Sequence, residues 1–225
     1  MVRENFIIAI DGFSSCGKST VAKALAKTLN FVFVDSGAMY RAVTLYFLRN
    51  AINCSDTAAV QEALNNIHID FIPNTEKTQI LLNGEDVSDE IRQMEVSEMV
   101  SEVSAIKEVR RAMVSQQQQL GARRNIVMDG RDIGTTVFPD ADLKIFMTAD
   151  PLIRANRRLA ELLAKGETVT LEEVIENLAH RDHIDSTREE SPLRQASDAM
   201  VLDNSYMTQE EQLELVLNEY QSRLK

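Results

Sequence analysis

The sequence predicts an α/β protein: a parallel sheet flanked by helices, interrupted by a small antiparallel β insert. Three observations predict it. Short continuous apolar runs recur along the chain and mostly stop at an acidic residue, as strands buried on both faces do. Helical patterns lie between them, and strands that alternate with helices make a parallel sheet with crossover helices. One stretch alternates apolar with polar residues instead, the pattern of an antiparallel strand with one wet face.

The first run is Phe6-Ile7-Ile8-Ala9-Ile10, ended by Asp11-Gly12. Val21, Leu25 and Leu29 then recur at helical spacing. The chain leaves that helix at Leu29 and enters a second strand through Val34, which stops at Asp35-Ser36-Gly37. Ile67 to Pro73 carries the alternating pattern, Thr78 to Leu82 is strand-like, and Asn83-Gly84 is a strong turn signal. Together they predict an antiparallel insert of roughly 40 residues. Gln116 to Gln119 is expected on a solvated helix face, glutamine being a fair helix former. Asn125 to Met128 forms a third strand, ended by Asp129-Gly130, and Leu143 to Met147 a fourth. Thr170-Leu171-Glu172-Glu173 is a capping box that opens a helix, after the helix stop marked by Gly166. Ala199 to Leu202 is the fifth strand, ended by Asp203-Asn204, and Thr208-Gln209-Glu210-Glu211 opens the last helix in the same way. Ligands of such sheets sit at the carboxyl ends of the strands, where these acidic residues lie.

The chain has 225 residues, enough for one α/β core with attachments or at most two small domains. A hydrophobic share of 44% with 26% charged residues is that of a globular chain, not a disordered one. With 35 acidic and 24 basic side chains the net charge is -11, which repels nucleic acid and anionic membrane surfaces, so neither is expected as a partner. No apolar run approaches the ~20 residues that span a bilayer. Cys16 and Cys54 make no disulfide framework, and Met1 to Asn5 leads straight into a strand with no leader pattern, so a cytoplasmic location is expected. Any phosphate bound must be captured by a local basic cluster working against the global field.

Gly12-Phe13-Ser14-Ser15-Cys16-Gly17-Lys18-Ser19 matches G-x-x-x-x-G-K-[ST] at every fixed position, with a buried strand before it and a helix after it. That context makes the sheet of the P-loop NTPase type. Loop amides can turn inward to phosphate oxygens, backed by the positive end of the helix. Lys18 supplies a mobile charge to the β- and γ-phosphates, and Ser19 can offer a hydroxyl to Mg²⁺. Cys16 reads as a small filler.

A phosphate loop does not choose between a kinase, a nucleotide switch and a motor. Arg154, Arg157 and Arg158 share one helical face, and Arg181, Asp185 and Arg188 share another if the helix runs that far. Taken alone these would be surface ion pairs, each worth ~0–1 kcal/mol. Arg41 just after Asp35-Ser36-Gly37, and Arg131-Asp132 after a strand end, change the balance. Several guanidinium groups near strand ends suggest a site for more phosphate than one nucleotide carries. A hydrolase needs only water as its second substrate, whereas a kinase needs a cationic pocket for an anionic acceptor. His68, His180 and His183 read as surface or packing residues.

The chain resembles the bacterial cytidylate kinases. The segments that carry the resemblance are Gly12 to Thr20, Asp35-Ser36-Gly37-Ala38-Met39-Tyr40-Arg41, Gly84-Glu85-Asp86-Val87-Ser88, Asp129-Gly130-Arg131-Asp132-Ile133-Gly134-Thr135, Val137-Phe138-Pro139-Asp140-Ala141 and the Arg181, Asp185, Arg188 set. The resemblance implies a nucleoside monophosphate kinase fold. A core over residues 1–62 and 93–225 would carry a helical lid at about 153–169 and an acceptor-binding insert over 63–92. It implies transfer of the γ-phosphoryl of ATP, with Mg²⁺, to CMP or dCMP, by a monomer. Gly12, Phe13, Ser14, Ser15, Cys16, Gly17, Lys18, Ser19, Thr20 and Arg157 would bind ATP. Ser101, Arg110 and Asp132 would face cytosine, Arg181 and Asp185 the sugar, and Ser36, Arg41, Arg131 and Arg188 the acceptor phosphate. Lys18, Arg131, Arg158 and Arg188 would be catalytic. Phe13 and Ser19 depart from residues common in the family, which leaves open whether Ser19 meets Mg²⁺ directly or through water. Two other readings stay open at this level: a kinase for another small acceptor such as UMP, and a nucleotide-dependent switch or binding module. The absence of a convincing guanine-reading N-K-x-D segment counts against the switch.

Overall fold

A computed structural model describes residues 5–72, 79–122 and 125–224. In chain order the core opens with β1 (Ile7–Gly12), α1 (Lys18–Leu29), β2 (Val32–Asp35) and α2 (Ser36–Arg49). Then come α3 (Thr57–Asn65) and three short strands, β3 (Ile69–Ile72), β4 (Gln79–Leu82) and β5 (Glu85–Asp86). After a short 3₁₀ turn follow α4 (Met94–Ala105), α5 (Lys107–Gly121) and β6 (Ile126–Gly130). The chain ends with β7 (Leu143–Thr148), α6 (Pro151–Ala164), α7 (Leu171–Thr187), β8 (Met200–Asp203) and α8 (Gln209–Arg223).

All five expected core strands form, in the order β2-β6-β1-β7-β8, and every pairing is parallel. The three inner strands, β6, β1 and β7, are buried almost throughout, which is why their sequences are largely apolar runs. Ile8, Ile10, Val127, Leu143 and Ile145 pack under α1 and α8 on one face of the sheet. Ala9, Val34, Ile126 and Met128 pack on the other, against α2, α4 and α5. The registers bring Asp11 beside Gly130 and Asp35 beside Asp129, so the acidic strand ends cluster at one edge.

The insert is a separate three-stranded sheet, β3-β4-β5, antiparallel throughout. Asn83 and Gly84 both have positive φ (52° and 87°), as the tight turn between β4 and β5 demands. Pro73 and Thr78, which bounded the expected strands, lie outside the described residues. Arg49 forks onto Glu85 and Glu90 and ties α2 to this part of the chain.

Both expected capping boxes form: Thr170 with Glu173, and Thr208 with Glu211. The chain turns at Gly166 with φ at 82° just after α6. The expectation for the glutamine tract holds at Gln118 and Gln119, which are exposed, and needs correction at Gln117. Gln117 is buried in the face of α5 that packs on the core, while Gln118 donates to the Val137 carbonyl. Composition alone suggested a wet face; the position of Gln117, four residues after buried Met113, puts it on the apolar stripe. Leu162, Val174 and Leu178 form a third, small cluster that holds α6 to α7.

Candidate active site

The site is a cleft of about 280 Å³ at the carboxyl ends of the parallel strands. Its floor is the loop between β1 and α1. Gly12 must be glycine: at φ 149° a Cβ there would lie 2.0 Å from the Met147 carbonyl oxygen. Lys18 is buried, and its Nζ donates to the carbonyls of Gly12 (2.9 Å) and Phe13 (2.6 Å). Burial, reinforced by the nearby Arg131 guanidinium, holds its pKa below the ordinary lysine value. This ammonium is satisfied by carbonyls of its own loop.

Two residues from elsewhere brace that loop. Asp182 of α7 accepts the Ser14 N–H and also pairs with Arg154, whose Nη1 donates to the Ser14 carbonyl. Asn204, after β8, donates to the Cys16 carbonyl and to Gln212, and accepts from Arg157. Arg154 is therefore a buried brace, and Arg157 is turned to Asn204 rather than into the cleft. Arg158 does line the cleft and bonds Glu161 at its edge. Cys16 has no exposed surface, as a filler should.

The far wall is a chain of alternating charges. Arg131 donates through Nη2 to Ser14 Oγ (2.9 Å) and through Nε to Asp185 Oδ2 (2.7 Å). Arg188, just beyond the end of α7, pairs with the other Asp185 oxygen and with Asp132, and is anchored by the Ser191 carbonyl. Asp132 also pairs with Arg110 of α5. Arg110 lies over the Tyr40 ring at 5.1 Å and donates to the Ser104 carbonyl. Burial works against its charge, but Tyr40 and Asp132 outweigh it and hold the guanidinium above its usual value. Burial likewise disfavours the Asp185 carboxylate, and Arg131, Arg188 and Arg181 more than offset it, so its pKa is lowered. Ser101 and Arg110 are both buried and line the cleft.

Arg41 and Arg181 complete the wall, and each has a buried Nε with no hydrogen-bond partner among the described residues. Burial and the neighbouring arginines push Arg181 down to about 10, and burial lowers Arg41 as well. Cations crowded together with donors left over are poised for an anion. Ser36 donates to the Asp129 carbonyl and faces the same space.

The oxygen groups beside the loop suit Mg²⁺. Ser19 Oγ donates to Asp129 Oδ2 (2.6 Å), while Asp129 Oδ1 is buried with no hydrogen-bond partner among the described residues. Burial, then the adjacent Asp35, pushes Asp129 up to about 7. Among the described residues no group of three or more histidine, cysteine, aspartate or glutamate side chains could hold a metal by itself. That fits an ion that completes its shell with phosphate oxygens and water. Among the described residues no helix is long and apolar enough to cross a membrane, and His68, His180 and His183 lie exposed, away from the cleft.

Sequence reasoning missed Asp182, Asn204 and Tyr40 as parts of this site. Asn204 had a signal, since it follows a strand end. Asp182 sits between Arg181 and Asp185 and had none.

Residues 8–222 match the family model described as cytidylate kinase. Over 217 residues the chain is 55% identical to a cytidylate kinase of Cytophaga hutchinsonii, covering 96% of this chain and 93% of that protein. Over 223 residues it is 56% identical to a cytidylate kinase of Bacteroides fragilis, covering 97% of each. Among solved structures, an uncharacterized protein from Eubacterium ventriosum aligns over 97% of this chain and 99% of its own, with a TM-score of 0.55 at 13% identity, a likeness of fold alone.

Proposed function

The chain belongs to the cytidylate kinase family, and on that premise we propose how its cleft carries the γ-phosphoryl group of ATP to CMP or dCMP, giving ADP and CDP or dCDP. Gly12 to Thr20 cradle the ATP phosphates, with Arg157 at the nucleotide's outer side. Ser101, Arg110 and Asp132 read cytosine, Arg181 and Asp185 hold the sugar, and Ser36, Arg41, Arg131 and Arg188 receive the acceptor phosphate. The observation that carries the reading is the continuous file Ser14–Arg131–Asp185–Arg188–Asp132–Arg110, which joins the phosphate loop to a buried carboxylate at the other end of one cleft.

A phosphate oxygen of the acceptor attacks the γ-phosphorus, and the bond from that phosphorus to the β,γ-bridging oxygen breaks, leaving ADP. Both partners are anionic, so approach is repulsive until guanidinium groups neutralise it. A phosphate oxygen is already nucleophilic at neutral pH, and no histidine is needed as a base. Lys18, Arg131, Arg158 and Arg188 stabilise charge on the transferring group. Ser19, with Asp129 and Asp35 behind it, would hold the Mg²⁺ that accompanies ATP, and that ion would supply charge neutralisation at the β- and γ-phosphates.

Cytosine presents an exocyclic amine donor where uracil presents a carbonyl. The Asp132 carboxylate can accept from the first and only repel the second, a mismatch worth on the order of a few kcal/mol. In this reading the β3–β5 insert, within residues 63–92, covers the acceptor and a lid at about 153–169 closes over the donor, expelling water that would waste ATP. The two cysteines, both free, support a cytoplasmic setting.

A coupled ADP-release assay with CMP, dCMP, UMP and AMP tests the reading. Strong turnover with CMP and dCMP and weak turnover with the others is expected. Equal rates with UMP would sink the base assignment. Slow hydrolysis indifferent to any acceptor would mark a nucleotide switch instead.

A further inference from the structure

Asp11 closes β1, next to the first glycine of the phosphate loop, and is 4% exposed. Its two carboxylate oxygens each accept one backbone amide: Ile133 N–H to Oδ1 and Gly134 N–H to Oδ2, both at 2.7 Å. These amides open a single π-helical turn, Ile133–Val137, whose leading N–H groups have no partner within the turn. The residue placed to cap the turn is Asp132, and an aspartate there would ordinarily accept those N–H groups itself. Asp132 makes no such bond; its φ and ψ are -145° and 25°, and its carboxylate is engaged by Arg110 and Arg188.

We propose that Asp11 is a positioning residue for acceptor recognition: it takes over the cap that Asp132 has given up, and so fixes the backbone that presents Arg131 and Asp132. The inference rests on the reading of Asp132 as the cytosine-facing carboxylate. It links the start of the phosphate loop to the acceptor wall through one buried side chain. Removing either bond frees the segment in which both acceptor residues sit.

The clamp depends on ionisation. A carboxylate accepts at both oxygens, whereas a protonated carboxyl turns one oxygen into a donor facing an N–H. Burial pushes Asp11 up to about 6, the two amides working the other way. The charged groups around it are Lys18 of α1, Asp132 ahead of the turn, and Lys144 of β7, whose chain packs against Gly134. The clamp is therefore complete above about pH 6 and lost as pH falls through it.

The test compares KM for CMP in wild type and Asp11→Asn, at saturating ATP, from about pH 5 to about pH 8. Ionisation of CMP is common to both proteins and cancels in the ratio. The amide mimics the protonated acid, so the expected ratio is about tenfold at the alkaline end, shrinking toward one at the acid end. A ratio independent of pH is what a merely structural loss would give, and it overturns the proposal, as does a ratio of one throughout. If Asp11→Asn does not fold, wild type alone decides. Its preference for CMP over UMP in kcat/KM, where the shared phosphate cancels, should fall as pH drops through about 6, and a constant preference overturns the proposal. Asp132→Ala measured alongside separates the two readings. If that variant leaves the CMP-to-UMP preference intact, the Asp132 reading fails; if it narrows the preference while the pH tests stay flat, only the Asp11 assignment fails.

Discussion

Arg110 Nη2 lies 2.5 Å from Asp132 Oδ2, and both side chains are almost wholly withdrawn from solvent. Breaking a buried pair costs about 3–5 kcal/mol when the remaining charge is left alone, and Arg188, 3.5 Å from the other Asp132 oxygen, keeps the cost here below that. Arg110→Met should therefore lower the melting temperature well beyond what a surface arginine would, read by thermal unfolding. Asp132→Ala should also narrow the preference for CMP over UMP by about 10-fold or more. An unchanged preference would mean the base is read elsewhere.

Arg131 bonds both Ser14, on the proposed donor side of the cleft, and Asp185, on the proposed acceptor side. An arginine acting on the transition state is worth ~10³-fold or more in rate. Arg131→Ala should lower kcat by that order in a folded protein, and near-normal kcat would remove it from the catalytic set.

Lys18 Nζ must leave the Phe13 carbonyl, 2.6 Å away, to reach a phosphate. Lys18→Ala should cost on the order of 10³-fold in kcat. It should cost the fold little, because both carbonyls belong to a loop that water can reach once the ammonium is gone. Rapid turnover by the variant in the coupled assay would contradict the role.

Arg41 and Arg181 each hold a buried, unpartnered Nε amid other cations. Arg181→Ala should relieve repulsion, leaving stability unchanged or raised in the absence of ligand, while KM for CMP rises about tenfold or more. Added inorganic phosphate should raise the melting temperature of wild type and do so roughly half as much in Arg41→Ala, the arginine assigned to the acceptor phosphate. An equal rise in both would place the anion elsewhere.

Asn204 is 1% exposed and satisfies the Cys16 carbonyl, Gln212 and Arg157 together. Asn204→Ala should destabilise by about 1–3 kcal/mol through the groups it strands. It should raise KM for ATP more than KM for CMP, because the loop it braces binds the donor. Steady-state kinetics with each substrate varied in turn checks the split.

Much of the architecture was legible along the chain because its signals are local. A strand buried on both faces has to be an apolar run, as Ile126 to Met128 is, and a capping box spans four residues, as Thr170 to Glu173 does. The phosphate loop was legible for the same reason: its glycines answer to backbone geometry within a few residues. Gln117 was misread because side-chain polarity was taken for exposure; its place on the stripe of Val109 and Met113 was the better guide.

The acidic strand ends mark the boundary of what sequence alone determined. It placed Asp11, Asp35, Asp129 and Asp203 at the carboxyl ends of strands, and a set of arginines near them, because periodicity and turn residues record where strands stop. Only the tertiary structure decided what each acid does. Asp35 caps its own helix through Ala38, Asp203 bonds Ser205 beside it, Asp129 takes Ser19, and Asp11 reaches 122 residues along the chain to Ile133. Local pattern cannot tell these apart, because a carboxylate's role is set by the donors that the sheet order and register bring within about 3 Å of it.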